Sequence, residues 1–325
     1  MASEFADDLS WRPLLVSDAE YLADLLNAAE DADGGEEHYS AEDAAEELAD
    51  PTLDLPRASV AAFDGDLLVG YLTAMVRPLA TGEHRVLLDG TVRPTHRRRG
   101  IGTRLLREGI ELARAAHDRI HPNLKLIIDV QRLDTVAGAQ ALYASFGFMP
   151  VRYFQHMRHP LGGSVKEVAV PGGLALEGWS PGTDPEFHRI RNEAFRDNWG
   201  AAPVTAEQWT VRYANRNMRP EVSFLLRDQN GGEAVGMLLT LSWDADTEAS
   251  GVRDAYIMLI GTLREHRRRG VAGALLSQAL RAAQENGFER ASLVVDAENP
   301  TGAFGLYENA GFVPHIRTTR WALDG

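Results

Sequence analysis

Two short segments of nearly the same wording, HRRRGIG at residues 96–102 and HRRRGVA at residues 266–272, stand 170 positions apart in this 325-residue chain. Each sets three arginines and a glycine ahead of an amphipathic stretch, so each reads as a turn that opens a helix. The first helical N–H groups have no intrahelical partners, and the helix dipole adds positive potential there. Such a turn suits an anion. Two copies of one anion-binding turn imply two copies of the unit that presents it, and the chain length suits two domains of about 150 residues each.

The repeat extends in both directions. Upstream of the turns, the apolar, β-branched runs RVLLDGTV (85–92) and YIMLIGTL (256–263) read as buried strands. Downstream, Leu106, Ile110 and Ala113 recur at helical spacing, as do Ala272, Leu275, Leu276, Ala279, Leu280 and Ala283. A second strand follows in each copy, LKLIIDV (124–130) and ASLVVDA (291–297), then a short helix stopped by Gly147 or Gly311, then a closing strand. Ahead of the central strand, one or two helices lead to a hairpin, turned by Asp64-Gly65 in one copy and Asn230-Gly231-Gly232 in the other. The expected fold is α/β, or α+β by some schemes: two tandem domains, each a mixed, mostly antiparallel twisted sheet flanked by helices. The Gly- and Pro-rich stretch PLGGSVKEVAVPGG (160–173) is the linker candidate, which gives domains 1–160 and 174–325 joined by 161–173.

Composition removes several classes of function. There is no cysteine, so disulfides, thiolate nucleophiles and Cys-based zinc sites are excluded. The ten histidines show no metal-ligand spacing, and no metal is inferred. No apolar run reaches 18 residues and the N-terminus lacks a signal-like stretch, so no membrane is expected and the cytoplasm is the expected compartment. The net charge of −14 sits almost wholly in residues 1–56, where 17 Asp/Glu face a single base, Arg12. That segment would repel phosphates, which disfavours nucleic acid as a partner, and would attract a cation if it lined a pocket. As a solvated helical face it would simply confer solubility.

A G-x-x-x-x-G-K-S/T loop is absent, and a dinucleotide G-x-G-x-x-G fails at Leu105 in one copy and Ala272 in the other. The pattern that fits is Q/R-x-x-G-x-G/A, seen as Arg97-x-x-Gly100-x-Gly102 and Arg267-x-x-Gly270-x-Ala272, each followed later by L-Y-x-x-x-G-F. With a strand before and an amphipathic helix after, both halves resemble the GNAT-type N-acetyltransferase superfamily. Tandem proteins of this look include the mycothiol synthase-like group, in which one half can be catalytic and the other degenerate.

The resemblance implies acetyl-CoA as the acyl donor and a small-molecule primary amine as the acceptor. Transfer would be direct, by amine attack through a tetrahedral intermediate. It implies that the turns bind pyrophosphate through the main chain of Arg98, Arg99, Gly100, Gly102 and Thr103, and of Arg268, Arg269, Gly270, Ala272 and Gly273, with Arg97 and Arg267 opening each motif. Gly90, Thr91 and Val92, and Ile260, Gly261 and Thr262, would pair with the pantetheine amides as an added strand would. Tyr143 and Tyr307 fall at the position of the usual general acid, and Asn299 at a cofactor contact. Asp89, whose counterpart is Leu259, lies where many relatives place a base. NEAFRDNWG (192–200) offers Asp197, Asn198 and Trp199 to an acceptor. The C-terminal half is the favoured catalytic one. A monomer with internal pseudo-symmetry and a homodimer both fit. A non-catalytic acyl-CoA sensor is the alternative reading.

Overall fold

A computed structural model describes residues 8–50, 52–80, 82–298 and 302–325. The chain divides into two compact units, one of residues 1–153 with 317–325, the other of residues 154–316.

In the first unit, β1 (Ser10–Arg12) leads through α1 (Ala19–Asp33), α2 (Ala41–Leu48) and the single turn α3 (Leu55–Ala58) to the hairpin β2 (Ser59–Asp64) and β3 (Leu67–Val76). The central strand β4 (Glu83–Val92), α4 (Ile101–Ile120), β5 (Lys125–Leu133), α5 (Ala137–Ser145) and β6 (Met149–Pro160) follow. Local signals account for the helix ends: Ser40 caps α2 by accepting from the Asp43 N–H, and Gly34 ends α1 in the left-handed region at φ 75°. β1 to β4 pair antiparallel in sequence order, and β4 pairs parallel with β5. α4 buries Ile101, Leu105, Leu106, Ile110 and Ala113 against Val86 and Leu88 of β4, while Leu22, Leu25, Ala44 and Leu48 of α1 and α2 join a separate core with Tyr71. At about 25 cal/mol per Å² of apolar surface removed from water, these two cores hold the helices on the sheet.

The second unit repeats the plan: β7 (Leu174–Gly178), α6 (Asp184–Ala194), α7 (Ala206–Arg212), β8 (Phe224–Asp228), β9 (Ala234–Leu241), α8 (Asp244–Ser250), β10 (Asp254–Thr262), α9 (Val271–Glu285), β11 (Arg290–Asp296), α10 (Ala303–Asn309) and β12 (Val313–Asp324). Helix α8 has no counterpart in the sequence reading, nor do the short opening strands β1 and β7. β10 pairs antiparallel with β9 and parallel with β11.

The closing strands are exchanged. Residues 154–160 of β6 run antiparallel to β11 and put Met157, fully buried, into the core of the second unit. Residues 318–324 of β12 run antiparallel to β5, where Trp321 and Leu323 pack on the core of the first. The division at 160 and 174 read from the sequence gives each closing strand to the half that precedes it. Sequence order does not reveal the exchange, because β5 and β11 carry similar apolar patterns.

Residues 161–173, the linker candidate, run as a strap along α9: Gln284 donates to Leu161 O and Gly163 O, Ser277 Oγ donates to Lys166 O and accepts from the Val168 N–H, and Pro171 reaches Gly270. Gly270, Gly273, Ser277 and Gln284 share one helical face, small at its start, so an extended chain can lie close.

Candidate active site

The parallel central strands separate part-way along their length in both units. β4 and β5 pair from Glu83↔Lys125 to Leu88↔Val130 and then part, so the edge of β4 from Asp89 to Val92 faces β5 without a partner strand. β10 and β11 pair only from Asp254↔Arg290 to Tyr256↔Ser292. Each opening therefore presents free strand-edge amides, the setting in which an extended amide-bearing chain adds as a strand. Gly90 is required where it stands, since a Cβ there would lie 2.4 Å from Tyr71 O. In the second opening Thr262 Oγ1 is buried and has no hydrogen-bond partner among the described residues.

Both anion turns share one backbone. Arg98 and Arg268 lie in the left-handed region at φ 66° and 60°, and Gly100 and Gly270 at 85° and 82°. They are the only described non-glycine residues with positive φ, and both belong to the two turns. Alternation of this kind points successive N–H groups into one concavity, an anion nest at a helix N-terminus. The first bond of each helical ladder runs from Arg104 N–H to Gly100 O (3.1 Å) and from Ala274 N–H to Gly270 O (3.0 Å), which leaves the preceding N–H groups ahead of the ladder. These features fit a pyrophosphate.

The first arginine of each motif is differently employed. Arg97 Nε donates to Val92 O (3.0 Å), and its Nη atoms reach Asp33 at 2.6 and 3.0 Å. Arg267 Nε donates to Thr262 O (3.2 Å) and Nη2 to Ala194 O (2.8 Å). Both guanidinium groups tie the turn to the strand end and to the C-terminus of the first long helix, so these side chains hold the turn rather than an anion. Arg98, Arg99, Arg268 and Arg269 are exposed.

Around the first opening stands a dense polar cluster. Tyr71 Oη donates to Asp89 Oδ2 at 2.7 Å, and Arg132 Nη2 donates to Thr91 Oγ1 at 2.7 Å while lying 3.5 Å from Asp33 Oδ2. The Tyr143 phenol is pushed up to about 12, first by burial; Arg132 holds it down, and Asp89 and Asp33 raise it. Glu47 is pushed up to about 7 by desolvation and then by the charges of Asp89, Glu37 and Asp50. It keeps contact with solvent although protein crowds it, the position of a group lining a cleft. Glu30 is also raised to about 7, by burial and then by Glu37. The acidic first segment thus supplies several carboxylates beside the first opening.

The second opening is apolar on the matching side. Leu259, the counterpart of Asp89, is buried in a cluster with Ile190, Ala194, Trp209 and Tyr213. Burial alone drives the Tyr307 phenol far above its ordinary value. Gly261 packs under Phe195, 3.1 Å from where its Cβ would be. Asp197 is exposed and lies 3.8 Å from Arg267 and 3.9 Å from Arg264; the Asn198 N–H donates to Phe195 O, and Trp199 is half-buried in the same turn. Of the three, Asp197 is the one placed beside the second anion turn. Asn299 lies outside the described residues. Asp129 sits within β5, buried and paired with Arg85 at 2.9 Å, whereas Asp296 Oδ1 accepts from the Glu298 N–H at its strand end.

The profile of the acetyltransferase (GNAT) family matches residues 20–148 and again 185–312. This chain belongs to the GNAT family. It is a tandem GNAT acyltransferase, similar to the mycothiol acetyltransferases of Nocardia farcinica (29% identity, covering 94% of each chain) and Salinispora arenicola (28%, covering 90% of this chain and 89% of the other). Among solved structures, a GCN5-related N-acetyltransferase from Sphaerobacter thermophilus is 25% identical at a TM-score of 0.77, covering 98% of this chain and 96% of the other. A tandem GNAT protein from the clavulanic acid biosynthesis pathway, 19% identical at 0.72 over 97% and 98%, shares the fold. No described helix is long and apolar enough to cross a membrane.

Sequence reasoning overlooked Tyr71, Glu47, Asp33 and Arg132. A signal existed for Asp33: a carboxylate in the last turn of α1 opposes the helix dipole unless a cation answers it, and Arg97 does.

Proposed function

We propose that this protein transfers the acetyl group of acetyl-CoA to the primary amine of a small polar molecule, and that the first unit performs the chemistry. The observation that carries this reading is the asymmetry of the two openings: carboxylates, phenols and a guanidinium surround one, and an apolar wall fills the same place in the other. The C-terminal half, favoured from sequence, keeps the anion turn and Tyr307 and takes the role of an acyl-CoA-binding partner domain.

Acetyl-CoA supplies an activated thioester when bound. In the first unit, the N–H groups from Arg98 to Thr103 would hold its pyrophosphate, and the free edge at Gly90, Thr91 and Val92 would orient its pantetheine. Orientation of this kind can supply several kcal/mol of the barrier. The amine must be neutral to attack. Glu47, raised to about 7, is matched to removing an ammonium proton near neutral pH, and Asp89, held by the Tyr71 hydroxyl, stands within electrostatic reach of it. Tyr143 Oη, protonated at every physiological pH, would deliver a proton to the departing thiolate. The net proton movement runs from the amine nitrogen to sulfur.

The acidic cleft favours acceptors that arrive as cations. The shared name of the curated relatives puts mycothiol-related amines first in a test panel, followed by amino sugars and polyamines. Thiol release from acetyl-CoA over that panel should fall about 100-fold in Tyr143→Phe and Asp89→Asn, in line with loss of acid–base assistance, and stay within about threefold in Tyr307→Phe. The reverse pattern would return the chemistry to the second unit.

A further inference from the structure

One carboxylate, Asp33 in the last turn of α1, ties the anion turn of the first unit to its free strand edge. Its side chain is only 5% exposed, so the groups that hold it are fixed by packing as well as by charge. Both carboxylate oxygens accept from Arg97, at 2.6 and 3.0 Å, and Arg97 Nε donates to Val92 O at the end of the free edge. Asp33 Oδ2 also faces Arg132 Nη2 at 3.5 Å, and the same nitrogen donates to Thr91 Oγ1 at 2.7 Å. The carbonyl of Asp33 accepts from Thr135 Oγ1 at 2.9 Å, in the loop that leads to α5. An unbroken chain of contacts thus runs from the turn through Asp33 to the side chain of Thr91. In the second unit Arg267 Nη2 donates instead to a carbonyl, Ala194 O, at 2.8 Å, and Thr262 Oγ1 on the strand edge has no hydrogen-bond partner among the described residues.

We propose that Asp33 is a positioning residue for acetyl-CoA in the first unit, setting the spacing between the turn that takes the pyrophosphate and the strand edge that takes the pantetheine. This rests on the reading that the first unit binds acetyl-CoA at those two places. A ligand held at both ends gains from both only if their separation matches its own. Asp33 sits between two guanidinium groups; without its charge they face each other as like charges and the turn moves off the edge. The sign of the effect separates positioning from charge alone. A carboxylate beside an anion site repels the anion, so its neutralisation would by Coulomb's law tighten CoA binding. Loss of position weakens it.

The test titrates CoA into the full chain by calorimetry, where the class of sites that Arg98→Val weakens is that of the first unit. Asp33→Asn, nearly isosteric and neutral, should weaken this class by about tenfold or more at unchanged stoichiometry. Asp31→Asn, an exposed acid of the same helix, controls for the lost charge and should change affinity by less than about twofold. Thr91→Val cuts the chain of contacts at the strand edge with no change of charge and should cost about threefold or more, a loss that Thr91→Ser, which keeps the hydroxyl, does not share. Added to Thr91→Val, Asp33→Asn should cost less than it does alone. Unchanged or tighter binding in Asp33→Asn, a loss matched by Asp31→Asn, or full additivity with Thr91→Val overturns the proposal. If Asp33→Asn loses sites rather than affinity, it has unfolded, and the threonine pair decides: no loss in Thr91→Val, or an equal loss in both, overturns the proposal. If Arg98→Val weakens no class of sites, the reading of the first unit as a cofactor site fails instead.

Discussion

On the proposed mechanism, Glu47 sets the pH at which the first unit works. With its carboxyl near 7, it is protonated and idle below that value and able to accept a proton above it. The kcat/KM profile should therefore rise through about pH 7 as pH increases. Glu47→Gln should remove that limb and lower the plateau by about 100-fold, the ordinary worth of a general base. A limb unchanged in the variant would assign it to another group. His84 makes a second prediction, for stability. It is fully buried, its Nδ1 lies 2.9 Å from His117 Nδ1, its Nε2 has no hydrogen-bond partner among the described residues, and burial pushes it down to about 4, with help from His121 and His117. The unfolded chain binds this proton near 6.5, so the contribution is complete above that pH and is lost as pH falls toward 4. Between pH 7 and 5 the loss is about 2 kcal/mol. Denaturant titrations at the two pH values should show it, and His84→Phe should shrink the difference. Residues that act at a distance in sequence were the hardest to read: Arg132 looks like an ordinary polar residue ending an apolar strand, and only the departure of β5 from β4 turns it into the opening.

The turns were the most legible elements, because their chemistry is local. A glycine at a fixed offset from the strand end and an amphipathic period after it suffice to specify a helix N-terminus. The left-handed arginines could not be read that way, since no propensity places Arg at φ 66°. They yield a test of whether main chain or side chain grips the anion. Arg98→Gly keeps the backbone accessible to the turn and should hold acetyl-CoA affinity within about threefold, whereas Arg98→Val, β-branched and strained in that region, should lose about tenfold or more. Isothermal titration distinguishes the cases, and equal losses in both would mean that the guanidinium carries the binding. The strap along α9 was legible only as a Gly- and Pro-rich run; its docking depends on Gly273 and Ser277, which in sequence read as ordinary small helix residues. In α4 the corresponding face carries Arg107, Glu111 and Arg114, all exposed.

For the whole molecule, the repeat told the number of units and their common plan but not which residues complete each. Residues 317–325 finish the first unit, and Trp321 packs 6.3 Å from Tyr143, ring centre to ring centre. A chain ended after Ile316 should lose acyl transfer and expose the β5 amides to hydrogen exchange by several orders of magnitude. Retained protection of Ile127 and Ile128 would show that the sheet edge stands without β12.

The same exchange imposes an order on synthesis. Tyr153 leaves the ribosome about 160 residues before Arg317, a delay of about 10–30 s at ordinary elongation rates. Throughout that interval β5 is an open, apolar sheet edge of an incomplete unit. The emerging segment that could fill it too early is β6, the strand that follows β5 directly. Fidelity then depends on β6 leaving that edge for β11, so slowing translation between residues 160 and 317 should raise the yield of misassembled or chaperone-bound chains.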